Sequence, residues 1–209
     1  MDEITKVFQK IRIIPVVTIH QADEVNPLAD ALVGGGLPCA EITFRTNAAV
    51  AAIEKLCKRM DMLTGAGSVL TVDQAKTAVA AGAKFIVSPG LNLKVLQFCA
   101  EQNIPVFPGT CTPTDFIMAL EQGLKVIKFF PAESLGGVKT LKAMAAPFPM
   151  LKFLPTGGIT PQNILDYLKL PQVLACGGSW MVKEDLLQGK KFDTIRQLVQ
   201  EAVNIVRQI

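Results

Sequence analysis

IIPVVTIHQADEV, residues 13–25, is an apolar, β-branched run that passes into a polar turn containing no glycine. The run has the length and composition of a buried strand. Beyond it, Val25, Leu28, Leu32 and Val33 fall on one face of a helix. A strand feeding a helix opens either a doubly wound open sheet or a closed (β/α)8 barrel. The open sheet ordinarily carries a glycine-rich phosphate-binding fingerprint in its first turn. TIHQADEV, residues 18–25, is no such fingerprint.

Working outward, runs of the same kind recur every twenty to twenty-five residues: CAEITF (39–44), MLTGAGSV (62–69), FIVSPG (85–90), PVFPGT (105–110), VIKFFPA (126–132), FLPTGG (153–158) and VLACGGSW (173–180). With the first, that makes eight strands. The segments between them read as helices. Gly34–Gly35–Gly36 ends the first, and Thr71 with Gln74 forms a capping box whose helix closes at Gly82. Thr112–Pro113 and Thr160–Pro161 each place a cap before proline at the first helical position. The last helix carries Ile195, Leu198, Val199, Ala202 and Val206 on one face. Ile4, Val7, Phe8 and Ile11 mark a further amphipathic helix before the first strand. The expectation is an α/β protein, a (β/α)8 TIM barrel with an additional N-terminal helix, forming one domain over residues 1–209.

Composition excludes other classes. The net charge of +3 is spread without a basic run, so no nucleic-acid footprint is expected. No apolar run approaches a membrane span, and the charged N-terminus lacks a signal-peptide pattern. Five dispersed cysteines without a C-x-x-C pair read as reduced thiols of a cytoplasmic protein. A single histidine, His20, rules out a three-histidine zinc site.

The special residues crowd at strand C-termini, where barrels of this type place their sites. Lys128 interrupts the apolar sixth run. Such lysines commonly lay the stem on apolar neighbours and keep the amine in water. The alternative is an amine desolvated inside the barrel, where the neutral, nucleophilic form is favoured and attacks a carbonyl to form an imine. Glu41 and Arg45 end the second run and, with Thr43, share a face by strand periodicity. They read either as a structural ion pair or as a proton-transfer carboxylate beside an anion-binding guanidinium. Gly157, Gly158, Gly178 and Ser179 follow the last two strands, where barrels of this kind hold phosphate on backbone N–H groups.

Together EITFRT, GAGSVL, SPGL, KFFPAE, PTGGI and GGSW resemble the 2-keto-3-deoxy-6-phosphogluconate (KDPG) and 4-hydroxy-2-oxoglutarate aldolase family. The likeness runs from about residue 14 to the last helix, in the same order. It implies a metal-independent class I aldolase of the Entner–Doudoroff pathway. Such an enzyme cleaves the phosphorylated keto acid to pyruvate and glyceraldehyde 3-phosphate and usually assembles as a homotrimer. It also implies Lys128 as the imine-forming lysine and Glu41 as the acid/base. Arg45 and Ser68 would hold the pyruvoyl carboxylate, Pro89 and Phe130 would line the pocket, and Thr156 with Gly157, Gly158, Gly178 and Ser179 would contact hydroxyl and phosphate. Serine at position 68 departs from the threonine of the family pattern but keeps the hydroxyl. Two other readings share the barrel: a phosphosugar isomerase or epimerase, which has no need of an imine-forming lysine, and a non-catalytic phosphometabolite-binding barrel. A metal-dependent pyruvate aldolase is disfavoured by the single histidine.

Overall fold

A computed structural model describes residues 2–209. Helix α1 (Glu3–Ile11) precedes β1 (Ile13–Val17) and α2 (Val25–Gly35), followed by β2 (Cys39–Thr43), α3 (Ala49–Cys57), β3 (Leu63–Gly67) and α4 (Val72–Ala80). The pattern continues through β4 (Ile86–Ser88), α5 (Leu93–Glu101), β5 (Val106–Thr110), α6 (Pro113–Glu121) and β6 (Val126–Phe129). A 3-10 turn (Glu133–Leu135) leads to α7 (Gly137–Ala145), β7 (Lys152–Pro155) and α8 (Ile164–Leu168). Strand β8 (Cys176–Gly178), the short α9 (Glu184–Gln188) and α10 (Phe192–Val206) complete the chain.

All eight strands are parallel, in the order β7-β6-β5-β4-β3-β2-β1-β8. Two bridges, Phe153 to Val173 and Thr156 to Gly177, bring the two ends together into the nearly closed TIM-type barrel expected from the spacing of the runs. Outward side chains such as Ile42, Ile86, Ile127 and Phe153 are fully buried against the helices. Inward ones alternate with them.

The lower lumen is filled by Ile14, Cys39, Val87, Leu154 and Leu174, and α1 closes it from below. Asp2 caps α1 by accepting from the Thr5 N–H at 2.9 Å. The amphipathic face then delivers Phe8, wholly buried, against Phe85 and Phe107 with ring centroids 5.0 and 5.2 Å away.

Two local expectations change. Of the three glycines ending α2, only Gly36 (φ 92°) makes the left-handed cap. Gly34 and Gly35 lie within the helix and let α10 approach: a Cβ at Gly35 would come 2.5 Å from Val199 Cγ1. Thr112–Pro113 begins α6 as expected, with Thr112 as cap and proline in the first turn, and Asp115 completes a capping box there. Thr160–Pro161 instead opens a turn, and α8 begins only at Ile164. Asn163 explains the delay: its side-chain oxygen accepts from the Thr160 N–H at 2.8 Å while its amide donates to the Gly158 carbonyl at 3.0 Å. These side-chain bonds replace the first helical turn.

Candidate active site

β2 and β6 stand on opposite sides of the eight-strand ring, so inward side chains from them meet across the lumen. Lys128 Nζ lies 3.6 Å from Glu41 Oε1, with the residues 6% and 3% exposed. The amine therefore does not reach out to bulk water. Glu41 pairs with this lysine and not with Arg45. Space for its carboxylate comes from Gly67 on β3, where a Cβ would stand 2.2 Å from Oε1. The backbone of Lys128 is held from outside the barrel, since the buried Thr110 hydroxyl donates to its carbonyl at 2.8 Å. The Phe130 ring lies beside the amine, 5.0 Å from Nζ to centroid.

Arg45 lies beyond the end of β2, in a turn. Its direction is set less by strand periodicity than by its Nε, which donates to Ser68 Oγ at 3.1 Å. Ser68 has φ 56°, in the left-handed region where threonine, being β-branched, is the costlier choice.

A cavity of about 580 Å³ opens at the strand C-termini. Arg45, Phe130, Thr156, Gly157, Gly158, Gly178 and Ser179 all line it. Lys128, Glu41 and Ser68 do not; Lys128, with Glu41 beside it, adjoins Phe130, and Ser68 adjoins Arg45, both of which do. Pro89 is not brought into this cavity. It lines a neighbouring one of about 240 Å³ that shares Phe130 as a wall. Cys111 also faces that smaller cavity, and burial, with the Asp115 carboxylate second, pushes its thiol up and away from a reactive thiolate.

The turn after β7 is built for close approach. Gly157 and Gly158 take φ 96° and 80°, and a Cβ at Gly158 would come 2.6 Å from Glu133 Cβ. Glu133, from the KFFPAE stretch, holds this turn: its N–H donates to the Gly157 carbonyl at 3.0 Å, and its carboxylate accepts from the hydroxyl of Tyr167 on α8. Burial and that carboxylate push the Tyr167 phenol up, so it stays a donor. At β8, Gly178 accommodates the Trp180 ring, which a Cβ would meet at 2.1 Å.

Several residues of the cavity lie outside the sequence-based expectation. Thr18 at the end of the first run lines it, as do Lys183, Glu184 and Asp185. For Thr18 alone, a polar side chain just past a strand C-terminus is a signal the sequence carries. His20 does not line the cavity; its Nε2 pairs with Glu184 Oε2 at 2.7 Å. Among the described residues, no three His, Cys, Asp or Glu side chains converge into a metal-binding group.

Chemically, the arrangement offers a buried amine beside a carboxylate, a guanidinium above them and glycine-rich turns for an anion at the far wall. The model of the KDPG and KHG aldolases matches residues 4–198 of this chain. The chain belongs to that family. The family's members include a 2-dehydro-3-deoxy-phosphogluconate aldolase of Haemophilus influenzae, 45% identical over 207 residues, covering 99% of this chain and 98% of that protein. The KHG/KDPG aldolase of Escherichia coli K12 is 44% identical over 192 residues, 91% of this chain and 90% of that one. Among solved structures of the family, the KDPG aldolase of Legionella pneumophila, with pyruvate captured as a covalent carbinolamine, superposes with a TM-score of 0.92. It is 39% identical and covers 96% of this chain and 98% of its own.

Proposed function

We propose that this protein is a class I aldolase that cleaves 2-dehydro-3-deoxy-6-phosphogluconate reversibly to pyruvate and glyceraldehyde 3-phosphate. By the same chemistry it splits 4-hydroxy-2-oxoglutarate to pyruvate and glyoxylate. The observation that carries the reading is the meeting of Lys128 Nζ and Glu41 Oε1 at 3.6 Å in the closed lumen. An ammonium is no nucleophile, and Glu41 is the base placed to take its proton.

The freed amine attacks the C2 ketone to give a carbinolamine, and Glu41 returns a proton as water leaves and the iminium forms. Glu41 then takes the proton of the C4 hydroxyl. The C3–C4 bond breaks, its electron pair moves into the iminium, and glyceraldehyde 3-phosphate departs. Protonation of the enamine at C3 and hydrolysis release pyruvate and restore the lysine. Arg45, steadied by Ser68, holds the carboxylate. Phe130 packs against the pyruvoyl unit, with Pro89 behind it. Thr156 meets a substrate hydroxyl, and Gly157, Gly158, Gly178 and Ser179 take the phosphate. This chemistry requires no metal or organic cofactor. The protein acts in the cytoplasm as a homotrimer, which light scattering would check; no helix among the described residues is long and apolar enough to cross a membrane.

The test is intact and peptide mass spectrometry after incubation with pyruvate and borohydride. A reduced pyruvyl adduct on Lys128 is expected. Pyruvate binding without any adduct would instead favour the isomerase reading, which needs no imine.

The Glu133–Tyr167 pair supplies a second check. Tyr167→Phe removes one hydrogen bond behind the phosphate turn, worth about 1 kcal/mol. The expected result is a KM for the phosphorylated substrate raised about fivefold with kcat unchanged. The KM for 4-hydroxy-2-oxoglutarate, which has no phosphate, should not move. An equal rise for both substrates would place the fault outside the phosphate turn.

A further inference from the structure

Thr43 at the end of β2 and Thr18, just past the end of the adjacent β1, form a hydroxyl pair, Oγ1 to Oγ1 at 3.0 Å. Thr43 is enclosed, 1% exposed, and Thr18 is its only side-chain hydrogen-bond partner among the described residues. A buried hydroxyl proton without an acceptor is costly, so Thr43 donates to Thr18. The proton of Thr18 is then left over. Thr18 lines the main cavity, and among the described residues no acceptor takes that proton. The wall thus carries one hydrogen-bond donor, oriented by its neighbour and unused by the fold.

Strand order says what that donor meets. β1, which ends just before Thr18, is flanked by β2, bearing Glu41, and by β8, ending at Gly178 and followed by Ser179. A substrate stretched from the carboxylate of Glu41 to the turn after β8 passes the end of β1 midway. Resting on the aldolase reading above, Glu41 engages the C4 hydroxyl and the β8 turn the phosphate on C6. The group between them is the C5 hydroxyl. We infer that Thr18 donates a hydrogen bond to the C5 hydroxyl of the substrate, and that the Thr18–Thr43 pair is a specificity determinant for the aldehyde half. Thr43 acts through Thr18 and is a positioning residue.

The aldehyde that supplies C5 makes the inference testable in the condensation direction. D-Glyceraldehyde 3-phosphate carries the hydroxyl in question; 3-oxopropyl phosphate is the same chain without it. For Thr18→Val, kcat/KM with pyruvate and D-glyceraldehyde 3-phosphate is expected to fall about tenfold, as for one lost hydrogen bond. With 3-oxopropyl phosphate it should stay within about twofold of the wild type. Thr18→Ser should keep the wild-type preference. The double variant Thr18→Val, Thr43→Val leaves no orphaned buried hydroxyl, guards against a folding artefact and should match Thr18→Val. An equal loss with both aldehydes, or none with either, overturns the role of Thr18. If the wild type condenses pyruvate with neither aldehyde, it is the aldolase reading itself that falls.

Discussion

Lys128→Ala is expected to abolish turnover, lowering kcat by at least about four orders of magnitude, the usual scale for removing a covalent nucleophile. The variant also leaves Glu41 as a carboxylate 3% exposed with its only cationic partner among the described residues gone. Breaking a buried pair from one side costs about 3 kcal/mol or more in stability, so a lower melting temperature should accompany the lost activity. The double variant Lys128→Met, Glu41→Gln separates the effects. With both charges removed, the melting temperature should recover most of the loss while activity does not. Near-wild-type turnover in Lys128→Ala would refute the imine mechanism whatever the stability.

Glu41→Gln is the second large effect. It keeps the shape of the side chain beside Gly67 but removes the proton carrier. Without general acid–base assistance, kcat should fall by about 10² to 10⁴. Lys128 survives, so pyruvate and borohydride should still label it, only more slowly. Full activity in this variant would mean that another group or water carries the protons. Complete loss of labelling would mean that Glu41 is needed to form the imine at all.

The barrel was legible because its signals are local. Each strand is a short apolar run, each helix has its own face, and the break in pattern at TIHQADEV argues against the open sheet without any knowledge of neighbours. Lys128 and Glu41 were legible for a related reason: a charge inside an apolar strand is anomalous wherever the strand goes. What escaped the sequence depends on approach in space. Gly34 and Gly35 look like helix stoppers until Val199 and Arg196 of α10 are seen against them. Pro89 sits at a strand end like the rest, yet the Phe130 wall puts it in the adjoining cavity. Thr18 reads as one more β-branched residue; only its pairing with an enclosed Thr43 leaves it a spare proton. Lys183, Glu184 and Asp185 join the rim because the chain turns back over the mouth after Ser179, a path with no periodicity to betray it.

The plug formed by α1 bears on the order of events. With Phe8 wedged between Phe85 and Phe107, the barrel is a blind well, and everything enters and leaves by its mouth. In the proposed reaction, the phosphate-bearing half sits on the turns nearest that mouth and the pyruvoyl half is tethered to Lys128 below it. The traffic is therefore last in, first out. The aldehyde must clear before water can release pyruvate, and in synthesis pyruvate must be seated before the aldehyde arrives.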